Sequence, residues 1–284
     1  MVVFIFICAI FTVVVIYRKE LDMFKKFTVF AVAAICAVSS LSGAELNSFP
    51  EVKKAGMAAY NAKEYDKACE IFKAWTPKAA TGYQKWFCFF WQTKALRNLK
   101  KYDDALKVCD AYIKSDPVVQ DKAGANFICA LIYVSKNESG KAVPFLEEAI
   151  NCPEFKTKYA EMHRQACDTL VAQLYFLRNY DKCVAAADKV IPTIPAELQE
   201  QAKVYRVLAL FDLKKFSESE KAVKELLPTL KNNYNKHMIS YIYGQILLKA
   251  DNEDEAVKYL QETIKLNPKG WRSNAAKKLL LDLE

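Results

Sequence analysis

Glycine and histidine are scarce in this chain of 284 residues, at 7 and 2, and proline is held to 9. With so few glycines there is no phosphate-cradling loop, and the sequence holds neither a G-x-S-x-G elbow nor an H-E-x-x-H metal motif. No stretch alternates apolar and polar residues as a half-buried strand would. No two cysteines are spaced C-x-x-C, so neither a zinc knuckle nor a thioredoxin-like centre is indicated. His163 and Cys167 lie four apart on a predicted helix, but no third or fourth ligand joins them, and His163 reads as an ordinary surface histidine. Carboxylate pairs such as Glu147 with Glu148 and Asp254 with Glu255 fall on solvated helix positions. These absences point to a protein that is not an enzyme and needs no cofactor or metal. An enzyme with a cryptic helical site is the third reading, and it requires polar residues converging inside the fold.

What is present is repetition. Tyr65-Asp66-Lys67-Ala68 is echoed at Tyr102–Ala105, Ser139–Ala142, Tyr180–Cys183, Phe216–Ser219 and Glu253–Ala256, at intervals of 37, 37, 41, 36 and 37 residues. Twelve positions before the last residue of the echo stand Gly56, Ala130 and Gly244, so a small residue sits on each helix of an antiparallel pair. Twelve positions after the echo, Pro117, Pro195 and Pro268 stop the second helix. Thr93, Val171, Val207 and Ser219 break the small-residue rule in units two, four and five. In the last unit Ala256, Val257, Leu260 and Ile264 form one apolar stripe, and the stretch from Trp271 is amphipathic again, with Ala275, Ala276, Leu279 and Leu280 on its apolar side.

From about Pro50 to the end this pattern resembles the tetratricopeptide repeat family, whose unit is a helix pair of ~34 residues. The resemblance implies an all-α, right-handed helical solenoid of about six hairpins over 45–284, closed by a capping helix at 271–284. In that family the first helices line an inner surface, which here would carry Tyr60, Phe90, Phe127, Leu131, Tyr175, Phe211 and Tyr241, with Lys94 and Arg97 adding positive charge. Some members grip acidic tails with a lysine and asparagine clamp. Lys53 occupies the first clamp slot, but Met57 stands where asparagine is needed, so the clamp is broken. The six apolar residues Trp86 to Trp91 must cover a helix all round. Either the segment before Pro50 folds over the excess or a partner does.

The N-terminus reads as an address. Lys25 and Lys26, an apolar core from Phe27 to Leu41 and then Ser42-Gly43-Ala44 form a secretory signal at 23–44, with Glu45 the first residue retained. Residues 1–22 read as a mis-assigned extension ahead of a true start at Met23. The alternative is a short membrane anchor at 2–17. Residues 1–44 hold four of the 41 bases and two of the 33 acids, so the remainder has a net charge of +6 spread over many turns. Such a spread disfavours nucleic acid as a partner. Seven cysteines remain, most of them in helix-core positions. Cys152 ends one hairpin and Cys167 begins the next, making them the expected disulfide.

The sequence therefore predicts an exported, periplasmic scaffold or adaptor of the bacterial envelope that binds a partner protein or peptide in an aromatic groove. A membrane-anchored receptor tethered by 2–17 is the alternative.

Overall fold

The computed structural model describes residues 46–283; the expected signal peptide at 23–44 and the apolar run at 2–17 lie outside the described residues. The chain divides into two units, Met1–Lys53 and Lys54–Glu284. Among the described residues fourteen α-helices follow one another with no strand. Twelve form six hairpins: α1 (Phe49–Asn61) with α2 (Tyr65–Trp75), α3 (Gly82–Asn98) with α4 (Tyr102–Lys114), α5 (Val119–Ser135) with α6 (Ser139–Ile150), α8 (Ala160–Phe176) with α9 (Tyr180–Val190), α10 (Glu200–Asp212) with α11 (Phe216–Leu226), and α12 (Asn233–Lys249) with α13 (Glu253–Leu266). A short α7 (Pro153–Lys158) separates the third hairpin from the fourth, and α14 (Trp271–Leu281) follows the last.

The echo is the first turn of every second helix. Tyr65, Tyr102, Ser139, Tyr180, Phe216 and Glu253 each begin one. Two residues earlier, Lys63, Lys100, Asn137, Arg178, Lys214 and Asp251 take left-handed backbone angles, with φ from 54° to 63°. The residue between donates its N–H back across the turn to the first helix, as from Glu64 to Ala59 and from Lys215 to Leu210, both 2.9 Å. This 6→1 bond satisfies a carbonyl at the end of the first helix and reverses the chain tightly. No glycine occupies the left-handed position in any of the six turns.

The joint between the two helices of each hairpin is fully buried. Ala68, Ala105, Ala142, Cys183, Ser219 and Ala256 have no accessible surface. Size at the facing position on the first helix is balanced four residues after the echo's end. Gly56 faces Phe72, Gly244 faces Leu260 and Ala130 is matched by Leu146, whereas Val171 is matched by Ala187 and Val207 by Val223. A Cβ on Gly56 would overlap the Phe72 ring, and one on Gly244 would come within 2.8 Å of Leu260 Cδ2. Val171 therefore stands where its partner is alanine, and Val207 where its partner is a valine, smaller than the leucine or phenylalanine that faces glycine. Where the echo ends in a polar atom, it bonds across the joint: Ser219 Oγ donates to the Val207 carbonyl at 3.2 Å and Cys183 Sγ to the Val171 carbonyl at 3.4 Å.

Each second helix packs between its own first helix and the next one, while α3, α5, α8, α10, α12 and α14 touch in succession as a continuous row. The interval of 41 is explained by α7, whose Phe155 is buried against Phe127 and Tyr159 at 6.4 and 6.0 Å between ring centres. The expected capping helix is present. Its Ala276 is buried, and Ala275, Leu279 and Leu280 pack on the last apolar cluster. Among the described residues no helix is long and apolar enough to cross a membrane.

Within the run from Trp86 to Trp91, Trp86, Cys88 and Phe89 are buried among the solenoid's own helices, and Phe87, Phe90 and Trp91 are half-buried. Trp86 packs on Phe89, Tyr112 and Tyr159, and its ring lies against Gly124 of α5, where a Cβ would come within 2.6 Å. Phe87 meets Phe72, and Trp91 meets Tyr60 edge-on at 4.9 Å.

Candidate functional site

Five of the nine residues expected to bind a partner converge. Phe90, Lys94 and Arg97 are spaced to share a face of α3, and Phe127 and Leu131 a face of α5. Together with Met162 and Gln165 of α8 they line a cleft of about 290 Å³ between neighbouring first helices. Among the described residues no aspartate or glutamate lines it. Lys94 sits among three rings, 4.7 Å from the centre of Trp91, 5.2 Å from Tyr60 and 5.6 Å from Phe90, an arrangement that stabilises an ammonium through the ring quadrupoles. Burial, aided by the Arg97 charge, lowers the Lys94 pKa below its ordinary value. Tyr60 is fixed by Asn98, whose Nδ2 donates to the Tyr60 hydroxyl at 2.6 Å. Among the described residues neither Lys94 nor Arg97 belongs to any ion pair. The cleft thus offers two cations and apolar walls to whatever enters it.

The other expected residues lie elsewhere or serve packing. Phe127 is only 2 % exposed and forms the floor of the cleft, so it acts as core first. Tyr60 reaches the cleft's edge through Lys94. Tyr175 packs on Tyr205 at 5.5 Å, and Tyr241, 7 % exposed, meets Trp271 edge-on at 5.9 Å, near the C-terminal helix. Phe211 joins neither group; it closes its own hairpin turn against Phe216 at 5.6 Å.

Cys152 and Cys167 are not joined. All seven cysteines among the described residues are free thiols. Cys152 Sγ is 3.5 Å from Glu154 Oε2, and Cys167 Sγ is 3.8 Å from His163 Nδ1. Burial pushes the Cys167 thiol up to about 12, which removes the thiolate that nucleophilic chemistry needs. His163 is not the surface residue its sequence suggests. It is buried, with Nε2 3.4 Å from the Ile150 carbonyl, while His237 is buried with Nδ1 2.9 Å from the Thr263 carbonyl. Among the described residues no group of three or more histidine, cysteine or acidic side chains is placed to hold a metal.

The tetratricopeptide repeat sequence model matches residues 201–270, the fifth and sixth hairpins. The fold is that of a tetratricopeptide-repeat protein. A solved structure of YrrB, a TPR protein with an unusual peptide-binding site, superposes with a TM-score of 0.56 at 15 % identity, over 74 % of this chain and 99 % of that one. The apo form of the quorum sensor NprR from B. thuringiensis gives a TM-score of 0.57 at 13 % identity, over 91 % of this chain and 76 % of that one. The apo form of RapI gives 0.50 at 16 % identity, over 84 % and 90 %. No curated protein matches in sequence. At these identities the likeness is one of tetratricopeptide-repeat fold, and the side chains of the cleft are this chain's own.

Proposed function

We propose that this tetratricopeptide-repeat protein is a non-catalytic interaction scaffold or adaptor of the bacterial cell envelope, exported to the periplasm, which holds an extended segment of a partner protein in the α3–α5–α8 cleft. The observation that carries the reading is the convergence of Phe90, Lys94, Arg97 and Leu131 on one cleft with no carboxylate among the described residues of its wall. Apolar walls supply burial, and the two cations supply orientation. The peptide-binding site named for the structurally similar YrrB supports it. Export rests on the expected signal at 23–44.

Panning the full-length protein against a random peptide library displayed on phage tests the cleft. The native chain is expected to enrich a related set of sequences, which Arg97→Glu and Leu131→Glu should each lose while circular dichroism stays unchanged. Failure to enrich any set, or enrichment of the same set by both variants, overturns the assignment. For export, an intact mass from the host should begin at Glu45. A membrane-bound species that keeps residues 2–17 would replace the periplasmic reading with a tethered receptor.

A further inference from the structure

At the C-terminal end of the first-helix row a second group of aromatic side chains gathers about one cation. Tyr175 and Phe176 of α8 meet Tyr205 of α10 at 5.5 and 5.6 Å. Tyr241 of α12 meets Trp271 of α14, and the Arg272 guanidinium lies 4.4 Å from the Trp271 ring centre. Burial raises the pKa of Tyr175, Tyr205 and Tyr241, and the charge of Arg272 opposes it in each.

Arg272 has no hydrogen bond or ion pair among the described residues, and its Nε is buried without any partner. A buried donor is costly while it is unmatched, and more so when it is charged. Asp212 does not relieve it. That carboxylate takes the Tyr175 hydroxyl, and Tyr175 is held above its ordinary pKa by burial first and by that bond second. The rings around the cation are also displayed. Trp271 is 65 % exposed, Phe176 62 % and Tyr234 60 %.

From this geometry we infer that Arg272 and the rings about it form a second anchor, which receives an aspartate or glutamate side chain of the partner segment flanked by an apolar or aromatic residue. A guanidinium takes a carboxylate in a fork of two hydrogen bonds, and exposed rings on either side exclude water from it. A single cation among phenols suits one carboxylate, whereas a nucleic-acid strand needs a run of cations to follow its phosphates. The inference rests on the first-helix row being the binding face, but it depends on residues outside the α3–α5–α8 cleft. It makes α14 part of the binding surface as well as a cover for the core.

The same phage library, panned on the full-length protein, tests it. The enriched peptides should carry an acid next to an aromatic or aliphatic residue. By fluorescence anisotropy, Arg272→Met should weaken the best of them by about tenfold or more. Replacing the peptide's carboxylate with a carboxamide should cost as much, and the two losses should not add. Arg272→Lys, which keeps the charge, should recover part of the affinity, separating recognition from a fault in folding. An enriched set without acids, or one bound equally by Arg272→Met, overturns the inference. If Arg97→Glu still abolishes that binding, the cleft assignment survives. Preferential binding of oligothymidylate, or a concentration-dependent dimer that Arg272→Met dissolves, would give the surface to a different occupant and likewise overturn it.

Discussion

The fourth and sixth hairpins solve one packing problem in opposite ways. In the sixth, Gly244 lets the helices close and Leu260 fills the space beside them; in the fourth, Val171 takes up that space and Ala187 yields it. Both joints are sealed from solvent. What the fold requires is therefore a summed volume at two positions and not a particular residue at either, as expected of interiors packed to crystal density.

The largest effect is expected from emptying the joint. Leu260→Ala should cost about 2–5 kcal/mol, read as a shift in urea midpoint, because the cavity beside Gly244 cannot be filled from the first helix. Gly244→Val should cost about 1–3 kcal/mol by overpacking. The two together reproduce the fourth hairpin's arrangement, and a double-mutant cycle should show them rescuing each other by about 1 kcal/mol or more. Additive costs would mean that each position acts alone and would sink the exchange of volume. A smaller loss, about 1 kcal/mol, is expected for Ser219→Ala, which removes the hydroxyl bond to the Val207 carbonyl. Lys214→Gly should go the other way and raise stability by about 0.5–1 kcal/mol, since Lys214 holds φ 61°.

Acid separates the hairpins by their buried histidines. Burial lowers His163 and His237 below the ordinary value of 6.5, with a carbonyl contact partly opposing it in each. The unfolded chain therefore takes up protons first as the pH falls below about 6.5, and stability present above that pH is lost as it falls through the folded values. Replacing His237 by glutamine, which can keep the bond to the Thr263 carbonyl, should flatten this acid limb in thermal melts between pH 7 and pH 5, about the range of histidine titration.

The hairpin array was legible in the sequence because the echo marks a place where geometry leaves little choice, the first turn of a helix that must be crossed closely. The turn before it was not. Lysine, arginine, asparagine and aspartate hold the left-handed position, and none of them announces it as glycine would. Within the proposed binding surface, Phe90, Lys94 and Leu131 were reachable through the family resemblance, which places first-helix positions on one inner face. Phe127 buries its ring and Phe211 turns onto Phe216 of its own hairpin, because chain order does not say which side of a first helix its neighbour covers. Arg272 was not singled out, because it lies at the start of the capping helix, outside the first-helix positions that the resemblance assigns to the inner surface. His163 was misplaced because its partner is the backbone carbonyl of Ile150, on the preceding hairpin, which no local pattern reveals.

The seven cysteines among the described residues fall between α2 and α9, six buried and Cys69 half-buried, and none follows Cys183. In an oxidising compartment those six are unreactive only while the hairpins around them are closed. A chain that opens in its first four hairpins, or lifts α10 from Cys183, exposes sulfur to oxidation and mispairing, whereas one that frays only from α11 onward does not. The cysteines thus act as a chemical memory of opening, one that records lapses in the part of the molecule holding the α3–α5–α8 cleft and is blind to the helices from α11 onward.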